Sequence, residues 1–136
     1  MNGRFNTARS HGIKGGDMIY NDEEARKDAE SIGMTVYYVL LLKKGPTWTP
    51  DETPEVNALQ EAHLANYRRL AEMGKLVLTG PFLDSFQLSG EMRGMGVLRA
   101  DSYEEAFELI STDPMVKANR LTFELHAWMI KKGMLP

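Results

Sequence analysis

The sequence predicts an α+β fold of the ferredoxin-like kind: a four-stranded antiparallel sheet with two helices on one face, in the order βαββαβ. Three observations carry that reading. Short runs rich in β-branched, aromatic and aliphatic residues occur at 35–43, 76–79, 92–99 and 121–130. Stretches with helical apolar spacing, 54–74 and the segment opened by Ser102, separate the first run from the second and the third from the fourth. Two crossovers, each right-handed, then leave both helices on the same side of the sheet.

Residues 1–33 hold Gly15 and Gly16, scattered Arg and Lys, and the charged stretch Asp22 to Glu30. They contain too few large apolar residues to offset the entropy of ordering, and read as a flexible N-terminal extension to a domain at 34–136. Within the extension, Asp22 to Ile32 has the composition of one short surface helix. The first strand, Thr35 to Lys43, is too short for a core helix and is closed by Gly45 and Pro46. A loop to Thr53 carries Trp48, after which Thr53 and Pro54 supply a cap and a first helical residue for the helix to Gly74. A start at Thr49 would instead leave Pro54 where a bonded amide is needed.

Leu76 to Thr79 forms the second strand, ending at Gly80 and Pro81, and a turn is expected from Asp84, Ser85, Gln87, Ser89 and Gly90. The third strand runs from Met92 to Arg99. Ser102 and Glu105 have the spacing of a capping box, and Tyr103, Ala106, Phe107 and Ile110 form the apolar stripe of a helix that stops near Ser111. Asp113 and Pro114 open a further turn of helix through Lys117, and Leu121 to Ile130 is the last strand. Strand one is apolar on both sides, yet two helices can cover only one. A homodimer that pairs the open faces of two sheets is therefore expected.

Composition narrows the function. A chain of 136 residues with 43% hydrophobic content fits one core-bearing domain. Its net charge of −3 and thinly spread basic residues offer no stripe for a phosphate backbone, so nucleic acid is not an expected partner. The chain has no cysteine, which excludes protein thiol chemistry and suits a reducing compartment. The longest apolar run, Val36 to Leu42, is too short to span a bilayer, and the expectation is a cytoplasmic protein without membrane association.

His63 is the residue whose chemistry departs from its position. Val56, Leu59, His63, Tyr67 and Leu70 recur at three- and four-residue steps, so the imidazole points toward the sheet where a Leu would ordinarily go. Such a ring is either a core histidine held by one hydrogen bond or a functional group. Asp113 is equally a favoured N-cap before Pro or a carboxylate facing a pocket. If the two meet, the carboxylate would orient one ring nitrogen and leave the other as a general acid or base. Gly80 and Pro81 are either a strand-ending turn or pocket lining, and Trp48 sits in a loop that could adapt to a ligand. His126 shares a strand face with Glu124 and Trp128, opposite Phe123 and Leu125, and belongs either to the dimer face or to the cleft. A metal would need His63, His126 and Asp113 to converge, which nothing in their spacing requires.

The segments EAHLANYRRL (61–70), GKLVLTGPF (74–82), DPMVK (113–117) and FELHAW (123–128) together resemble the YciI-like, or YCII-related, family over about Val36 to Ile130. The resemblance implies a dimeric ferredoxin-like domain, akin to the muconolactone isomerase-like dimeric barrels, with an active-site His and Asp that fall on His63 and Asp113. It implies acid-base lyase or dehalogenase chemistry on small ring compounds. Asn119 departs from the family pattern, which usually has Gly there, and Asn is the best non-Gly occupant of a left-handed backbone position.

The functional expectation is a small-molecule enzyme using His63 and Asp113 for acid-base lyase, isomerase or dehalogenase chemistry on a cyclic or enolisable substrate, with no cofactor and no metal. The alternative is a non-catalytic dimeric module whose cleft holds a small apolar ligand, for which Trp48 and nine methionines would suit an adaptable pocket. An accessory domain of a larger assembly is a third reading.

Overall fold

Residues 20–83 and 90–136 of the computed structural model are described here, and the turn expected at 84–89, like His11, lies outside them. The elements are α1 (Asp22–Ser31), β1 (Met34–Lys44), α2 (Pro54–Glu72), β2 (Leu76–Pro81), β3 (Met92–Leu98), α3 (Tyr103–Ile110), α4 (Pro114–Lys117) and β4 (Leu121–Lys131). The four strands form one antiparallel sheet in the order β2-β3-β1-β4. This is the expected α+β architecture, with both long strands central or adjacent and neither long helix buried between layers.

Each helix begins where a side chain can satisfy its free amides. Thr53 accepts a hydrogen bond from the Val56 amide and Pro54 occupies the first turn of α2, as the sequence predicts. Ser102 caps α3 through the Glu105 amide at 3.0 Å. The return arm of the expected capping box differs: the Glu105 carboxylate accepts from the Asp101 amide at 2.6 Å, one residue before the cap. That bond, with Lys75 beside it, holds the Glu105 carboxyl below the usual range. Gly74, at φ 75°, ends α2 in the left-handed conformation that favours glycine.

Register assigns the two faces of the sheet. Leu40 lies opposite Leu125 and Leu42 opposite Phe123, while Val39 lies opposite His126 and Tyr37 opposite Trp128. Tyr38, Leu40, Leu42 and Leu125 share a buried cluster with Tyr67 and Leu70 of α2 and Ala106 and Ile110 of α3. Each large side chain buried there contributes about 1.5–3 kcal/mol relative to exposure. Phe107, expected in the α3 stripe, is instead 49% exposed and packs its ring on Phe123 at 5.4 Å. The other sheet face carries Val39, Leu41, His126 and Trp128 with no helix of the described residues over them, and Trp128 and Leu78 stay about half exposed (45% and 48%).

The stretch from Tyr20 to Ser31 is tied to the sheet rather than strung out from it. Asp22 accepts hydrogen bonds from the Tyr38 hydroxyl and the Tyr103 amide, and Arg26 reaches both Tyr38 and the Ala100 carbonyl. Burial pushes the Tyr38 phenol up to about 12. Ala29 is wholly buried, so α1 adds a small apolar contact to this polar clasp. The composition of the segment conceals this role because its few anchoring residues are charged.

Candidate active site

The helical spacing of α2 sets His63 and Tyr67 one turn apart on the face turned to the sheet, and the two rings meet at 4.3 Å between centroids. Asp113 arrives from the other side as the N-cap of α4, its backbone extended at φ −65° and ψ 121° and its helix begun by Pro114. Its two oxygens divide the work: Oδ1 accepts from the Met115 amide at 2.9 Å, and Oδ2 lies 2.7 Å from His63 Nδ1. The cap and the partner of the histidine are thus one residue performing both roles.

Asp113 is wholly buried and His63 is only 9% exposed. The carboxylate therefore stands behind the ring, and it is the ring that borders a hollow of about 450 Å³. A buried carboxylate beside Nδ1 selects the ring form in which Nδ1 carries a proton. With Nδ1 so engaged, Nε2 has no hydrogen-bond partner among the described residues. Burial pushes the Tyr67 phenol well above the ordinary tyrosine range, and the nearby Asp113 charge adds to that push. Its hydroxyl has no hydrogen bond of ordinary geometry among the described residues, and its ring packs against the imidazole.

The hollow brings together three more of the predicted residues: Trp48 from the loop after β1, and Gly80 and Pro81 at the end of β2. Space around Gly80 is open, with no described atom within 4 Å of a Cβ added there. The glycine that the local packing requires is Gly94 across the strand pair, where an added Cβ would lie 2.8 Å from the Gly80 carbonyl oxygen. His126 is not brought to the hollow. It lies on the sheet face opposite α2, pairs with Glu124 at 3.0 Å, and together with Lys43 holds the Glu124 carboxyl below its usual range. Among the described residues no three His, Cys, Asp or Glu side chains converge as metal ligands.

Two residues that the sequence reading passed over also line the hollow. Arg120 is only 9% exposed, and its guanidinium donates to the Thr49 carbonyl at 2.7 Å and to the Thr49 hydroxyl at 3.2 Å. Arg93 places its guanidinium 5.1 Å from the centre of the Trp48 ring, which Lys44 also approaches at 4.2 Å. Neither arginine has a local signature, because a lone basic residue in a strand or after a turn reads as solvated. Asn119, preceding Arg120, takes φ 62°, the left-handed conformation anticipated for it.

In sequence the profile of the YCII-related domain matches residues 36–125. No curated protein matches the chain. Among solved structures it is similar to 5-chloro-2-hydroxyhydroquinone dehydrochlorinase from Burkholderia phenoliruptrix, in complex with 2,5-dihydroxybenzoquinone. The two share 22% identity over 68% of this chain and 92% of the other, with a TM-score of 0.49. No helix among the described residues is long and apolar enough to cross a membrane. The profile spans both His63 and Asp113, all of β2 and β3, most of β1 and the first part of β4, and the chain belongs to the YCII-related domain family.

Proposed function

We propose that the protein is a small-molecule enzyme in which His63 transfers a proton and Asp113 orients it, on a cyclic or enolisable substrate. The observation that supports this most is the 2.7 Å contact between His63 Nδ1 and a wholly buried carboxylate, in a ring that still borders an open hollow. A histidine needed only for packing would have no use for that opening. Nε2 accepts a proton from carbon next to a carbonyl, and the electron pair moves into an enolate. Returning the proton to a different carbon completes an isomerisation. If the neighbouring carbon carries a halogen, the pair instead forms the new double bond while halide departs with the electrons of its own bond, a net loss of HX. No covalent adduct is needed, and among the described residues that line the hollow there is no Ser or Lys to form one.

The apolar strip of half-buried Val39 and Leu41 with exposed Leu78 and Trp128 supports the further reading that two copies pair through the open sheet face. Light scattering on a dilution series is expected to give twice the 15.3 kDa chain mass, and a monomer at every concentration would remove the pairing.

Proton transfer can be tested before the physiological substrate is known. Proton NMR in D2O follows exchange of the acidic carbon-bound hydrogens of cyclic diketones and hydroxyquinones. Enzyme-dependent exchange is expected, slowed about 10²–10⁴-fold by His63→Gln, the range for losing a positioned base. Equal exchange by the variant and the parent would leave the hollow as a binding site only.

A further inference from the structure

We propose, on the basis of the His63 reading, that Arg93 and Arg120 make this hollow a receptor for an anionic substrate: a ring bearing a planar oxyanion delocalised over two oxygens, such as a carboxylate or an ionised hydroxyenone. Arginine cannot discard its charge by losing a proton. Arg120 is nonetheless only 9% exposed, and among the described residues its hydrogen-bond partners are the neutral oxygens of Thr47 and Thr49. Its Nε, like Arg93 Nη1, is buried with no hydrogen-bond partner among the described residues. Among the described residues neither guanidinium has a carboxylate partner, although the chain as a whole is acidic, at −3.

Two buried or half-buried cations left without counter-charge are costly, and a fold keeps them where something else neutralises them. Both border the same hollow as the imidazole. A planar oxyanion matches the fork of a guanidinium in a way halide or an alcohol does not. Trp48, already in contact with the Arg93 cation, provides a flat surface on which a ring can rest. A volume near 450 Å³ is room enough for a single substituted ring. The anion would then be held at the arginines while a carbon acid on the same ring meets His63, and negative charge developing on an enolate oxygen would be stabilised by the same cations.

Calorimetric titration with benzoate, with 2-hydroxy-1,4-naphthoquinone and with neutral benzamide tests the receptor and separates its two sources of oxyanion. The parent protein is expected to prefer at least one anion over benzamide, and Arg93→Met is expected to weaken that anion about 10- to 100-fold, the value of a charge-assisted hydrogen bond, with benzamide unchanged. Preference for benzoate assigns a carboxylate, and preference for the quinone an ionised enol. Arg120→Met should act alike, but Arg93 is the deciding position because Arg120 also holds its loop. No preference for either anion over benzamide in the parent, including no binding at all, overturns the receptor, as does undiminished binding in Arg93→Met. Retained anion preference with exchange unaffected by His63→Gln would instead sink the proton-transfer reading and leave the receptor standing.

Discussion

Asp113→Asn is expected to slow turnover about 10²–10⁴-fold while the protein stays folded, because it reverses which ring nitrogen carries the proton. The carboxylate uses one oxygen to cap Met115 and the other to face His63 Nδ1. An amide has only one oxygen. If that oxygen keeps the cap, the NH2 group faces Nδ1, which must then be the bare nitrogen, and Nε2 carries the proton it should be free to accept. If the amide turns over, two donors confront each other at the start of α4 and the cap is lost. The first arrangement keeps both hydrogen bonds and changes only the ring tautomer, whereas the second forfeits the buried cap, a loss of about 1–3 kcal/mol in urea unfolding. The separation of the two effects is what matters: a variant destabilised to that degree but undiminished in rate would reduce Asp113 to a cap.

The second large effect is on the frame that carries Trp48 and Arg120. Gly45 donates to the Arg120 carbonyl at 2.8 Å, and the Thr47 amide donates to the Asn119 carbonyl at 3.0 Å. The two segments approach so closely that a Cβ on Gly45 would lie 2.2 Å from the Asn119 oxygen and 2.8–2.9 Å from the carbonyl carbons of Asn119 and Arg120. All three are backbone atoms, so no side-chain rotation relieves the overlap. Gly45→Ala is expected to cost about 3 kcal/mol or more, at the upper end of overpacking effects. Chemical denaturation should show a lower midpoint with little change in slope, and a stability within experimental error of the parent would mean that the strand-end contact is looser than described. Asn119→Gly, by contrast, should be nearly neutral, since φ 62° is open to both residues.

How far the sequence alone reached follows from which features are local. Periodicity of apolar residues marked β1, α2, β3 and β4 to within a residue or two, and the same periodicity turned His63 inward among Tyr67 and Leu70. Capping chemistry located Thr53, Ser102 and Asp113, each of which accepts a bond from a nearby amide. The meeting of His63 with Asp113 spans fifty residues and depends on where α4 docks, so the residues alone left it open and only the family resemblance suggested it. The side of the sheet taken by His126 was fixed by alternation with Leu125, but which side held the hollow was set by the helices. Arg93 and Arg120 were illegible for a plainer reason: their neighbours in sequence do not reveal that tertiary packing removes them from water without a carboxylate. The polar clasp of α1, built from Asp22 and Arg26, was hidden in the same way.

The central claim is that Asp113 holds the proton of His63 on Nδ1 and leaves Nε2 to the substrate. Long-range 15N–1H correlation spectroscopy of the imidazole reads this directly, without a substrate. Nδ1 is expected to be protonated in the parent protein, with a shift toward the form protonated at Nε2 in Asp113→Asn. A bare Nδ1 in the parent, with the proton on the nitrogen that should face the hollow, would contradict it.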